Sequence, residues 1–162
     1  MFLKDKGQWS LNFLTEDSSY LAIYAIDSNH SIAFQPFGNG FVSQFIDNTL
    51  HYWLEINLQT NTRRIAEVYI HKFIGSPYFQ SLFKGMEVRV GNDLASVGQP
   101  TMFTHNTFCN SGPTTNIEES YYIYPCQNGP IQGQYVTIQS TEKNPLAISE
   151  VNIKVHSLEG EH

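Results

Sequence analysis

Charge is in short supply in this sequence. Asp, Glu, Lys and Arg make up 15% of its 162 residues, against roughly 25% in an average globular chain. The nine basic side chains are scattered, with only Arg63 and Arg64 adjacent, and the net charge is −6. No phosphate-tracking stripe or anionic-membrane patch can be built from them, so nucleic acid is not an expected partner. Long apolar runs are missing as well. Leu21-Ala22-Ile23-Tyr24-Ala25-Ile26 falls far short of the roughly 20 residues that cross a bilayer, so no membrane insertion is expected. The opening Met1-Phe2-Leu3-Lys4-Asp5-Lys6-Gly7 has no apolar stretch of the kind that forms a secretory signal.

Catalytic signatures are equally sparse. There is no Gly-x-Ser-x-Gly elbow, and the six histidines (His30, His51, His71, His105, His156, His162) contain no His-x-x-x-His pair. Both absences disfavour Ser-His-Asp and zinc chemistry. Gly38-Asn39-Gly40-Phe41-Val42-Ser43 starts like a dinucleotide fingerprint but lacks the last glycine and any strand–helix–strand setting, so a turn is expected. Asp27-Ser28-Asn29-His30-Ser31 starts like a calcium loop, yet Ile32 and Gly38 stand where an EF-hand needs its glycine and closing glutamate. Asn29-His30-Ser31 also matches the short N-glycosylation pattern. Two carboxylates across a cleft are the remaining enzymatic arrangement. The acidic residues lie mostly on the polar faces of strands, where solvated surface charge is expected, and the protein is read as not an enzyme.

What the sequence does have is strand periodicity and turn chemistry. Short alternating runs recur at residues 52–58, 65–73, 86–90, 121–124, 135–139 and 148–155. Met86-Glu87-Val88-Arg89-Val90 and Val151-Asn152-Ile153-Lys154-Val155 alternate strictly, which predicts one face in a core and the other in water. Gly38-Asn39-Gly40, Gly75-Ser76-Pro77, Gly91-Asn92-Asp93, Asn110-Ser111-Gly112-Pro113, Asn128-Gly129-Pro130 and Lys143-Asn144-Pro145 supply turns through positive-φ tolerance and fixed proline φ. No long segment carries a helical stripe. The expected fold class is all-β, an antiparallel β-sandwich or jelly roll. The aromatic share of 14% and apolar share of 41% suit a single globular domain of this length. Polar residues 101–120 read as a long surface excursion, with or without irregular strand, which in a compact domain is usually functional or pinned. Cys109 and Cys126 flank much of it. Their spacing suits either a disulfide, contributing about 3 kcal/mol by loop entropy, or two reduced core thiols.

Taken together, several segments resemble the F-type (fucose-binding) lectins, a branch of the discoidin-like jelly rolls. They are Ala25-Ile26-Asp27-Ser28-Asn29, Tyr52-Trp53-Leu54-Glu55-Ile56-Asn57-Leu58, Gly85-Met86-Glu87-Val88-Arg89-Val90-Gly91-Asn92, Gly133-Gln134-Tyr135-Val136-Thr137-Ile138 and Leu146-Ala147-Ile148-Ser149-Glu150-Val151-Asn152-Ile153. Order and spacing follow the family over residues 20–156, which form the expected jelly-roll domain. Residues 1–19 form an N-terminal segment packing on it, and 157–162 a tail.

The resemblance implies a calcium ion clipping the first acidic loop to the last strand. Asp27 and Glu150 would supply carboxylates, and the backbone carbonyls of Tyr24, Asn29 and Ser149 part of the remaining shell, in keeping with a hard cation's demand for six to eight oxygens. One further family donor, a serine, matches Ser31, Ser43 or the position of Gly38 only loosely. The alternative for this loop is that Asp27 caps a turn and Glu150 faces solvent. The resemblance also pairs Cys109 with Cys126, while Ser149 replaces one half of a second family bridge. That pattern points to an extracellular or cell-surface module.

The sugar site departs from the family. F-type lectins hold fucose with a His, an Arg-x-Asp and a further basic residue, exploiting guanidinium geometry. No Arg-x-Asp occurs here, and Leu82 stands where the last basic residue is expected. Tyr78-Phe79 falls close to a family pair of adjacent cysteines that form an apolar platform beside the sugar. Its rings are suited to stack on a sugar or a partner, or else to tuck into the domain. His51, Lys72 and Lys84 are the nearest polar candidates. The expected binding surface is the set of loops around residues 30–51, 72–84 and 103–120. Expected partners are a glycan or glycoprotein or, in the competing reading of a structural interaction domain within a larger assembly, another protein. Oligomerisation is left open.

Overall fold

The computed structural model describes residues 1–4, 6–14, 16, 21–26, 40–45, 51–73, 76–95 and 102–156. Two antiparallel sheets pack face to face. The first holds β1 (Ser10–Phe13), β3 (Trp53–Asn57), β9 (Tyr135–Ser140), β5 (Met86–Gly91) and β6 (Thr107–Ser111), in the spatial order β1-β3-β9-β5-β6. The second holds β2 (Phe41–Val42), β10 (Ala147–Val155), β4 (Arg64–Lys72) and β7 (Tyr121–Pro125), in the order β2-β10-β4-β7, with the short β8 (Ile131–Gln132) paired to β4. The all-β sandwich expected from alternation is therefore present, and the six strongest alternating runs are six of these strands.

The core lies between the sheets. Leu54, Ile56, Val136, Ile138, Val88 and Val90 on one side meet Ile65, Val68, Ile70, Val151, Ile153 and Tyr124 on the other, all essentially sealed from water. Burying each such aliphatic side chain is worth about 1.5–3 kcal/mol before conformational entropy is counted. The disulfide reading is correct: Cys109 and Cys126 are bonded. Because β6 and β7 are the outer strands of opposite sheets, the bridge staples the sandwich along one side. Gln127 N–H reinforces it by donating to the Cys109 carbonyl at 3.0 Å.

Within residues 101–120, where the polar excursion left room for irregular strand, the structure has the strand β6. The outer face of the first sheet also departs from expectation. Glu87 is only 6% exposed, because Phe103 packs with Trp53 and Ala95 across that face. Beneath this cover Glu87 accepts from Arg89 Nε at 2.9 Å and from Gln139 Nε2 at 2.7 Å. Glu55, equally buried, accepts from Asn12 Nδ2 at 3.0 Å and from the Ala95 N–H at 2.5 Å. These carboxylates are structural acceptors and not solvated surface charges. A second layer over the sheet replaced the water that period-2 alternation implied.

Candidate functional site

Strand register collects one set of loops at one end of the sandwich. Trp53 opens β3 opposite Gln139 near the close of β9, Met86 opens β5 opposite Ser140, and Ile148 near the start of β10 pairs with Lys72 at the close of β4. Among the described residues, 43–45, 51–52, 73, 76–85, 112–120 and 141–146 therefore share this tip.

The loop after β4 holds the one α-helix among the described residues, α1 (Pro77–Ser81). Ser76 caps it, its Oγ accepting from the Phe79 N–H at 3.1 Å, and Pro77 takes the first helical position with its φ preset. The cap fixes Tyr78, which is 56% exposed. Phe79 turns inward, 5.2 Å from the Phe73 ring and packed with Val42, Leu82 and Ala147. The pair thus divides its labour: one ring anchors and the other faces outward. Leu82, at the position of a family basic residue, is part of the same apolar cluster.

His51 stands at the start of the tip, half-buried, and its Nδ1 donates to the Ser140 carbonyl at 2.8 Å. One nitrogen orients the ring and Nε2 is the atom a ligand could meet. Lys84 is half-buried after α1. Lys72 has a different role from the one its sequence position suggests. It is 8% exposed, and its Nζ donates to the Ile117 carbonyl at 2.6 Å beside the Phe83 ring. It ties residues 112–120 to β4 from inside. An outward aromatic that sequence reasoning missed is Phe45, 57% exposed with its ring stacked on buried Tyr52 at 6.4 Å. Nothing in its local pattern marked it, since it sits three residues past a two-residue strand. Of the expected loop at 103–120, only residues 112–120 reach the tip, because Phe103 and Asn106 lie over the first sheet.

None of the three arginines reaches the tip. Arg63 and Arg64 are at the opposite end of β4, and Arg89 is engaged by Glu87 and the Asn106 carbonyl on the outer face of the first sheet.

No family model and no curated protein matches the chain. Solved structures do. An F-lectin (fucolectin) from striped bass serum superposes with a TM-score of 0.71 at 21% identity, over 93% of this chain and 46% of the bass chain. This is the F-type lectin fold. A fucose-binding module from Streptococcus pneumoniae gives 0.64 at 14% identity, covering 93% of this chain and 96% of the module. An F5/8 type C domain from Bacteroides fragilis gives 0.64 at 17% identity, with 97% of each chain covered. The chain spans about half of the bass protein. At these identities the likeness is one of fold.

In F-type lectins the last strand carries the acidic residue by which the resemblance implied calcium, here Glu150. Glu150 is 1% exposed and forms an ion pair with the Lys6 ammonium, itself largely buried. Ser149 is buried next to it, and Tyr24 lies half-buried in the 3-10 turn Ala22–Ala25, which packs against β10. Asp27, Asn29 and Ser31 lie outside the described residues, as do Gly38 and the glycosylation pattern. Ser43 is engaged elsewhere, its Oγ accepting from the Leu146 N–H at 3.2 Å. Among the described residues no three His, Cys, Asp or Glu side chains gather as a metal group. Among the described residues, the charged group set against the Glu150 carboxylate is the Lys6 ammonium, beside which a divalent ion bound there would have to sit.

Proposed function

We propose that this chain is a non-enzymatic glycan-recognition module that works outside the cell or at its surface, gripping its ligand with aromatic rings and not with arginine. The observation that carries the reading is the pair of outward rings, Tyr78 and Phe45, at the loop tip of an F-type lectin fold. Aromatic faces pack against the C–H face of a pyranose, and His51 Nε2 and the Lys84 ammonium supply hydrogen bonds for hydroxyls at the same end. Among the compared structures, both the bass fucolectin and the pneumococcal fucose-binding module are sugar-binding proteins by name. The Cys109–Cys126 disulfide suits an oxidising compartment.

The lack of any arginine at the tip gives a second reading its footing: the same rings would then face a protein partner inside a larger assembly. A glycan array probed with the folded chain and with Tyr78→Ala separates the two. Signal from the wild-type protein on defined glycans, lost in the variant, is the expected result. Silence on every glycan by a folded wild-type protein would discard the lectin reading in favour of the protein partner.

A further inference from the structure

Glu150 and Lys6 are 144 residues apart in sequence and meet as a buried ion pair. We infer that the Lys6 ammonium is the resident cation of this site, doing by covalent tether what the family resemblance assigned to calcium: neutralising Glu150 and holding the N-terminal segment onto β10.

The chain on both sides of Lys6 is fixed so as to deliver the ammonium. Upstream, the Leu3 N–H donates to the Ile153 carbonyl at 2.8 Å and the Met1 carbonyl accepts from the Val155 N–H at 2.8 Å, which lays the first residues along β10. Downstream, the 3-10 turn Lys6–Gln8 closes with the Trp9 N–H donating to the Lys6 carbonyl at 3.0 Å, and Trp9 is buried in the main core. The side chain therefore crosses from a pinned backbone to a carboxylate that water does not reach. A buried carboxylate requires a positive partner. An ammonium meets that need with one charge and three donors. Calcium would bring two charges and a call for six to eight oxygens, and it would have to share Glu150 with an ammonium a few ångströms away in a medium that screens poorly. The lysine also cannot dissociate, so the clip does not depend on the free-ion concentration.

The inference is independent of the glycan reading and is tested without any sugar. The full chain is titrated with calcium chloride by calorimetry, and its melting temperature is compared in chelator and in millimolar calcium. The expected wild-type result is no binding heat and superimposable melts. Lys6→Met removes the charge and keeps the stem. It is expected to melt several degrees lower in chelator and to recover part of that loss as calcium rises, because an ion binding only the folded state stabilises by mass action. Glu150→Gln is expected to melt lower than wild type with no recovery by calcium. Calcium binding by the wild-type chain, or a chelator-induced drop in its melting temperature, overturns the inference. A folded Lys6→Met variant indifferent to calcium overturns the claim that lysine stands in the ion's place. Should that variant not fold, the wild-type titration still decides.

Discussion

Lys72 reaches from the last position of β4 to the backbone carbonyl of Ile117, 2.6 Å away, with its stem off the solvent. The Lys72 N–H also donates nothing to solvent, being bonded to the Ser120 carbonyl at 2.7 Å. Both ends of this residue thus hold residues 112–120 against the tip. Replacing it by Met leaves a half-buried carbonyl unpaired, which costs about 1–3 kcal/mol. Denaturant unfolding of Lys72→Met should show that loss, while ligand affinity measured on the folded fraction should change little. A selective loss of affinity at unchanged stability would return Lys72 to the ligand set.

The Cys109–Cys126 bridge joins β6, at the edge of one sheet, to the residue that follows β7, at the edge of the other. Beside it Asn110 Nδ2 donates to the Pro125 carbonyl at 2.7 Å. With a sequence separation of 17 residues, the loop-entropy model gives a stabilisation of about 3 kcal/mol. The Cys109→Ala/Cys126→Ala double variant should therefore unfold about 2–4 kcal/mol more easily in urea, and wild type in reductant should move the same way. Identical urea midpoints for bridged and double-variant protein would mean that β6 and β7 are held by packing alone.

Much of this architecture was legible in the sequence, for a physical reason. Val68, Ile70, Val88, Val90, Ile153 and Val155 are two-residue repeats on strands that bury one face, and period 2 is the signature of that geometry. The same parity carried a signal about Lys72: it falls in phase with Val68 and Ile70, on the buried side, although a lysine at a strand end ordinarily suggests solvent. β1, β2 and β8 are too short for alternation to register, and α1 spans barely one turn, so only Ser76-Pro77 hinted at it. What the sequence could not display is pairing between distant segments. Lys6 with Glu150, or Phe103 laid over Gln139 and Glu87, follows from the path of the chain and has no local pattern. The apparently solvated acidic faces were misjudged for that reason.

Tyr124 gives the fold a sensitivity to alkali. Burial is the main cause that pushes its phenol well above the ordinary value of 10, and the neighbouring Tyr122 adds to the shift. The folded state therefore keeps the proton at a pH where the unfolded chain has released it. The associated stability is complete below about pH 10 and is lost as pH rises beyond it, at up to about 1.4 kcal/mol per pH unit from this one group. Tyr124→Phe cannot ionise, so its stability should fall less steeply above pH 10 than that of wild type in paired denaturant titrations. Parallel pH profiles for the two proteins would show that Tyr124 is not the group responsible.

Phe45 offers the cleanest separation of recognition from folding. The residue is 57% exposed and its ring stacks on that of Tyr52, which is sealed in the core. Truncating an exposed side chain at a loop position usually changes stability by about 0.5 kcal/mol or less, with a further ~0.5–1.5 kcal/mol at stake in the ring contact. Phe45→Ala should therefore keep a cooperative melt close to that of wild type. If the outward rings grip the ligand, the same change should weaken binding of a glycan selected on the array by about tenfold, the equivalent of ~1.4 kcal/mol, whereas Phe45→Trp should retain it. Calorimetry with one glycan across the three proteins reads this directly. Undiminished affinity in Phe45→Ala would leave Tyr78 as the outward ring that recognition depends on.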